Sequence, residues 1–427
     1  MATIRKCGWL IVIAVVALNP AVLLADTAED ERRKPPTRVT EKLSPHVYQQ
    51  IEAAQAAMEA GDLDGAEAQM DALKADAGSL NDYERAQMHN FYAAIHYEQG
   101  RVDATIADYV AILKLEAPPE QIRTNSLFRL AQLYFVKEDY ARSIRVLDEW
   151  MKWVDAVRPE AHMLMAQAHY QLDAYTPARA AVIAAMREAR RRQQPLQENW
   201  LALLRAIYYE QDDYRSAVKV LVSLVSRWPG PSYYKQLSGM LGLLGQQKGQ
   251  LYVMHGAYVA GMLESESELL NLARLYMAED APLAAIEVLE RGMQSGVVAG
   301  DVANLQLLAQ AMALAKDVDG QIPVLERAAE ASGEALHYLY LGQAQMGQYR
   351  WAEAAASLRR ALSIGGLDRE GSVHMQLGTA YFNLERYGQA LQAFKDASAH
   401  SDQAQQAEQW IGFVRQEIKR TEAIRDL

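Results

Sequence analysis

The imidazole and thiol groups of this chain, nine histidines and one cysteine, are spaced so as to do little chemistry together. His89 and His96 lie seven residues apart, as do His162 and His169. On one helix that spacing separates them by about 10.5 Å, whereas a metal ion holds its ligands about 2 Å away. Neither pair shares an ion, which leaves them packing or surface roles. Cys7 precedes the first apolar run, so the rest of the chain is thiol-free; cysteine catalysis, thiolate metal sites and disulfides are excluded there. Gly239, Gly242 and Gly245 are spaced by threes with no strand before them and no Lys-Ser or Lys-Thr after, unlike a phosphate loop. They point to close helix contact or a softer hinge. Arg187, Arg190, Arg191 and Arg192 form the one strong basic run, near a helix end announced by Pro195. There positive charge complements the helix dipole, with a docking patch for an acidic partner as the other reading. No HExxH, GxSxG or Walker string occurs, so no metal, cofactor or catalytic site is expected. What remains in quantity is amides, aromatics and carboxylates, the groups of a binding surface.

The elements that must present them are announced by a recurring pattern. Leu377, Gly378 and Tyr381 are followed by Tyr387, Ala390, Phe394 and Ala397; Met165, Ala166 and Tyr170 are followed by Tyr175, Ala178, Val182 and Ala185. Aligned on its small position, the pattern recurs at Ala54, Ala93, Ala131, Ala166, Arg205, Ser238, Ala273, Ala309, Gly342 and Gly378. The repeat length is close to the roughly 34 residues of a tetratricopeptide unit, which the chain resembles. Apolar residues recur at helical spacing, as in Leu127, Leu130, Ala131 and Tyr134, and strand alternation is absent. Breaks fall at Pro118, Pro119, Pro159, Pro195, Pro229, Pro231, Gly296, Gly333, Gly365 and Gly366. The expectation is an all-α, right-handed tetratricopeptide superhelical solenoid of about ten helix pairs over residues 44–402. Residues 403–427, with Trp410, Phe413 and Val414 on one side, form a capping helix.

In such a repeat the first helix of each pair lines the concave face, and residues just after the small position point into it. Here these are Gln55, Gln132, Gln167, Arg274, Gln310 and Gln343, and one turn later Tyr97, Phe135, Tyr170, Tyr209 and Phe382. Amides hydrogen-bond a peptide backbone and aromatics offer rigid contact area, which suits an extended or helical protein segment. The competing reading buries the aromatics between helices. Asn90 and Asn271 read as groove contacts; Asn125 and Asn199 stand between groove contacts and helix caps. Arg129 follows Asn125 by one turn, but the Lys and Asn pattern that grips a terminal carboxylate is missing. The sixth unit also carries Gln250 where Ala is usual.

At the N-terminus Arg5 and Lys6 precede the apolar stretch from Trp9 to Leu18, and Ala21 to Ala25 follows a break at Asn19 and Pro20. Residues 1–25 resemble a secretory signal peptide cut near Ala25, so an exported protein with no transmembrane segment in the mature chain is expected. Residues 26–43, with Pro35 and Pro36, read as a disordered leader. The formal net charge is −11, and loss of Arg5 and Lys6 makes it more negative. Phosphate backbones and anionic lipids want the opposite sign, so nucleic acid is excluded as a partner.

From about His46 to Lys419 the chain also resembles bacterial tetratricopeptide proteins of the TonB-ExbB-ExbD energy-transduction system. The strings that carry this are Asn90-Phe91-Tyr92, Ser126 to Tyr134, Glu198 to Leu201 with Arg205 to Glu210, Leu270 to Tyr276, Leu305 to Ala311, Ile322 to Glu326 and Ala407 to Ile411. Arg205 at a small position and Pro323 inside a helix start are the less generic among them; Ala57, where an aromatic would strengthen the match, departs. The resemblance implies a periplasmic, non-enzymatic adaptor whose partners are envelope proteins, TonB-ExbB-ExbD components among them. The other scaffold reading is envelope assembly, secretion or polysaccharide export.

Overall fold

The computed structural model describes residues 42–425, all of whose regular structure is helical. The signal segment and most of the leader expected from the sequence lie outside the described residues. The helices group into two compact units that divide between Gln211 and Asp212.

The first unit contains α1 (Pro45–Glu59), α2 (Leu63–Ala75), α3 (Asp82–Glu98), α4 (Val102–Leu113), α5 (Glu120–Val136), α6 (Tyr140–Met151), α7 (Pro159–Gln171), α8 (Tyr175–Arg191) and α9 (Glu198–Glu210). The second contains α10 (Tyr214–Arg227), α11 (Pro231–Leu243), α12 (Gln247–Val259), α13 (Glu266–Ala278), α14 (Pro282–Gln294), α15 (Val302–Ala315) and α16 (Val318–Ser332). It continues with α17 (Ala335–Gly347), α18 (Trp351–Ile364), α19 (Glu370–Asn383), α20 (Tyr387–Ser398) and α21 (Ala404–Arg425). Within each unit consecutive helices pack as antiparallel pairs of the tetratricopeptide type, each pair on the next. In the first unit the most extensive contacts between helices not consecutive in the chain join first helices, α1 to α3, α3 to α5 and α7 to α9. That brings the first helices into one layer.

Local chemistry sets the helix ends. Second helices start at Asp62, Asp139, Asp213 and Asp317, whose carboxylates accept the backbone N–H of Gly65, Arg142, Ser216 and Gly320 at 2.9–3.1 Å. Asn81 with Glu84 and Ser265 with Glu268 form capping boxes on α3 and α13, and Pro159 and Pro231 occupy first turns. Asn125 and Asn199 are not caps. They lie inside α5 and α9, whose N-caps are Pro119 and Gln197. Two residues before each second helix the backbone turns left-handed, at Gly61, Gly100 and Gly245 but also at Glu138, Asp173, Asp212, Asp280, Lys316, Tyr349 and Glu385. The turn geometry is shared although the residue is not.

The core follows one rule: the small residue of a first helix meets a bulky residue sixteen positions later on its partner. Ala54 and Met70, Ala131 and Leu147, Ala273 and Leu289, and Ala309 and Leu325 are such pairs, all buried in shared clusters. Where the small residue is glycine the opposing group comes closer. A β-carbon on Gly342 would lie 2.8 Å from Leu358, and one on Gly378 would lie 2.6 Å from the Phe394 ring. Phe394 in turn stacks on Trp410 of α21 at 5.3 Å, and Ile411 and Val414 are buried there. By covering the last pair, α21 does for it what a further repeat would do. Pro323 lies in α16 with its ring exposed between buried Ile322 and Val324.

Candidate binding groove

The first-helix residues singled out by sequence occupy three environments. Tyr97, Phe135, Tyr170 and Phe382 are half-buried and close their own hairpins. Phe135 meets Tyr140 edge-on at 5.2 Å, Tyr170 meets Tyr175 at 5.7 Å, and Phe382 meets Tyr387 at 5.6 Å. Tyr97 packs against the cluster around Ala93 and Tyr109. Gln132 is buried, with its carbonyl facing the Arg129 guanidinium at 3.5 Å. Asn90 and Gln167 are half-buried, whereas Asn125, Asn199, Gln310, Gln343, Arg274 and Gln55 are exposed; Tyr209 is 44% exposed. One residue, Asn271, lines a cleft.

That cleft lies in the second unit between α11, α12 and α13 and encloses about 320 Å³. Its rim is an ion pair, Lys235 Nζ to Glu268 Oε1 at 2.7 Å. Glu268 is held in place from its other oxygen, which accepts the backbone N–H groups of Glu264 and Ser265 at 3.0 Å. Burial pushes the Glu268 carboxyl upward, but Lys235 and the Ser265 and Glu264 amides outweigh it and hold the pKa down to about 2. Ser238 and Met254, both 3% exposed, form the floor. They are the sixth pair's small and bulky positions. Gln250, Ser267 and Asn271 complete the wall, with Gly239 beside them.

The glycines of this pair divide by role. Gly242 gives room to Gln250, whose amide lies 3.3 Å from where a β-carbon would sit. Gly245 takes the left-handed turn at φ +68°, and Gly239 faces open space. The expected close contact therefore holds at Gly242 alone.

A second polar assembly joins α2, α3 and α4. His89 Nδ1 and His96 Nδ1 donate to the two oxygens of Asp108 at 3.0 and 2.7 Å, and His96 Nε2 faces Glu67 at 3.3 Å. Gln99 and Arg101 also bond Glu67, while Tyr92 stacks on His96 and donates to Asp71 at 2.5 Å. Burial raises the Glu67 pKa, yet the hydrogen bonds from Gln99, Arg101 and His96 leave it lowered. The seven-residue histidine spacing thus serves a shared carboxylate. Asp108 is the residue the sequence does not mark, because its partners are fixed only once α3 and α4 pair. No group of three or more His, Cys, Asp or Glu among the described residues is arranged to hold a metal ion. In the basic run, Glu188 pairs with Arg191 and Arg192. Among the described residues no helix is long and apolar enough to cross a membrane.

Residues 51–121 match the tetratricopeptide repeat family, and no curated protein sequence matches the chain. Among solved structures, the chain is similar to the TPR2AB-domain:pHSP90 complex of yeast Sti1. That match has 14% identity and a TM-score of 0.36, covering 62% of this chain and 98% of that one. A tetratricopeptide repeat protein from Parabacteroides merdae matches with 14% identity and a TM-score of 0.36, covering 63% and 100%. MamA of strain MSR-1 matches with 22% identity and a TM-score of 0.34, covering 41% and 98%.

Proposed function

We propose that this protein is an exported scaffold that holds another envelope protein against the faces of its first helices, as an accessory of a TonB-ExbB-ExbD system. Tetratricopeptide repeats suggest a protein-interaction scaffold. The observation that carries the groove reading is the cleft at Asn271, where the amides of Gln250 and Asn271 and a fixed ion pair line one opening. Support for export comes from the sequence of residues 1–25, and support for the TonB system from the strings between His46 and Lys419.

Crosslinking in intact cells followed by mass spectrometry tests the partner. Recovery of TonB, ExbB or ExbD is expected; recovery of outer-membrane assembly, secretion or polysaccharide-export proteins alone would replace this assignment with the other scaffold reading. Simultaneous substitution of the exposed Arg274, Gln310 and Gln343 by alanine, with circular dichroism unchanged, tests the face. Loss of partner capture is expected, and full capture would move binding off the first helices.

A further inference from the structure

The cleft of the sixth and seventh pairs differs from its counterparts by what is missing. The residue after the small position is glutamine in several other pairs, at Gln55, Gln132, Gln167, Gln310 and Gln343, but is Gly239 here. A β-carbon at Gly239 would meet nothing within 4 Å, so the volume a glutamine would fill is open. On the second helix the equivalent of Gln250 is Gln321, which donates to the Ala309 carbonyl at 3.2 Å; Ser143, at the same place in the third pair, donates to the Ala131 carbonyl at 2.8 Å. Gln250 makes no such bond and turns its amide to the cleft. Among the described residues Asn271 likewise has no hydrogen-bond partner, although it lines the same wall.

Charge decides what can enter. Glu268 meets Lys235 through one oxygen and two backbone amides through the other, so its charge is already neutralised, and Lys235 would repel a cation. An anion would have to share Lys235 with a carboxylate already 2.7 Å away. The groups left are the neutral amides of Gln250 and Asn271, each both donor and acceptor, with the hydroxyls of Ser238 and Ser267 beside them and Met254 beneath. Their complement is a third amide on a short methylene stem. We propose that this cleft takes a carboxamide side chain, asparagine or glutamine, from a segment of the bound protein.

The source of that side chain rests on the scaffold reading; the chemistry of the cleft does not. Saturation-transfer NMR on the purified chain, with the N-acetyl N-methylamides of glutamine, glutamate and lysine as probes, tests it apart from any partner. Transfer to the glutamine probe should exceed that to the other two by about fivefold, the worth of roughly one neutral hydrogen bond. Gly239→Gln, which refills the open volume, and Asn271→Ala should each abolish the preference. Equal or stronger transfer to glutamate or lysine, or a preference that survives in either variant, would overturn the proposal. Failed crosslinking to TonB-system proteins would remove the partner and leave this comparison to be judged by itself.

Discussion

The small position of the repeat can be tested where its partner is largest. At Gly378 a β-carbon would lie 2.6, 2.7 and 2.8 Å from three atoms of the Phe394 ring. Carbon atoms prefer about 3.5–4.0 Å, so Gly378→Ala requires the ring to retreat by about 1 Å. The ring has little room, being fully buried and stacked on Trp410. Overpacking of this kind costs about 1–3 kcal/mol, while alanine in place of glycine in a helix returns about 1 kcal/mol. The single substitution should therefore be neutral to destabilising by about 2 kcal/mol. In a Phe394→Leu background the clash disappears and the same substitution should stabilise by about 1 kcal/mol. The sign change is the signature, corresponding to a coupling of about 1–3 kcal/mol. A repeat array need not unfold in one step, so global melting is a poor readout. Hydrogen exchange of the α19 and α20 amides, compared across the four variants, reads the local opening free energy. Equal effects of Gly378→Ala in both backgrounds, within about 0.5 kcal/mol, would refute the packing rule.

Asp108→Asn leaves His89 and His96 one acceptor short and should lower the local stability of α3 and α4 by about 2–3 kcal/mol, seen as faster amide exchange in those helices. Gly100→Ala, at φ +72° with nothing near its β-carbon, should cost about 1–2 kcal/mol from backbone strain alone. Gly239→Ala, equally uncrowded but inside a helix, should instead stabilise by about 1 kcal/mol, so thermal or exchange data for the two should move in opposite directions. Glu268 is depressed in the folded state, so its contribution is fully present above the ordinary glutamate range near about 4.3 and is lost as pH falls toward about 2. The protection factor at the start of α13, the exchange rate referred to the intrinsic rate at each pH, should fall from pH 5 to pH 2 in the native chain and show a flatter profile in Glu268→Gln.

The helix pairs were legible because one local rule recurs: a small residue, then a bulky residue sixteen positions on, satisfies helix periodicity and packing at once. Turn positions were less legible. Glycine at 61, 100 and 245 announces a left-handed residue, but Glu138, Lys316 and Tyr349 adopt the same conformation with nothing in their chemistry to require it. There the packing of the hairpin imposes the backbone, and the residue tolerates it at a cost of order 1 kcal/mol. The choice left open at Asn125 and Asn199 goes against capping for a related reason. Asn125 and Asn199 look like caps in sequence, yet α5 and α9 extend past them because Pro119 and Gln197 stand where the chain turns into the helix.

The groove shows where sequence reading stops. A row of amides at one repeat position reads as one surface, but burial separates its members: Gln132 is 9% exposed and faces Arg129, whereas Gln310 and Gln343 are open to solvent. Position in the repeat fixes the direction of a side chain, and its neighbours fix whether anything can reach it. In the cleft the same logic works by subtraction. Gly239, Gln250 and Asn271 were each visible as irregularities, but their meaning depends on Lys235 and Glu268, which belong to different repeats and meet only when α11 packs beside α13. Glu268 was readable as half of the capping box begun by Ser265. That this box also anchors an ion pair, and so removes charge from the list of things the cleft can bind, is a property of two repeats in contact and of neither alone.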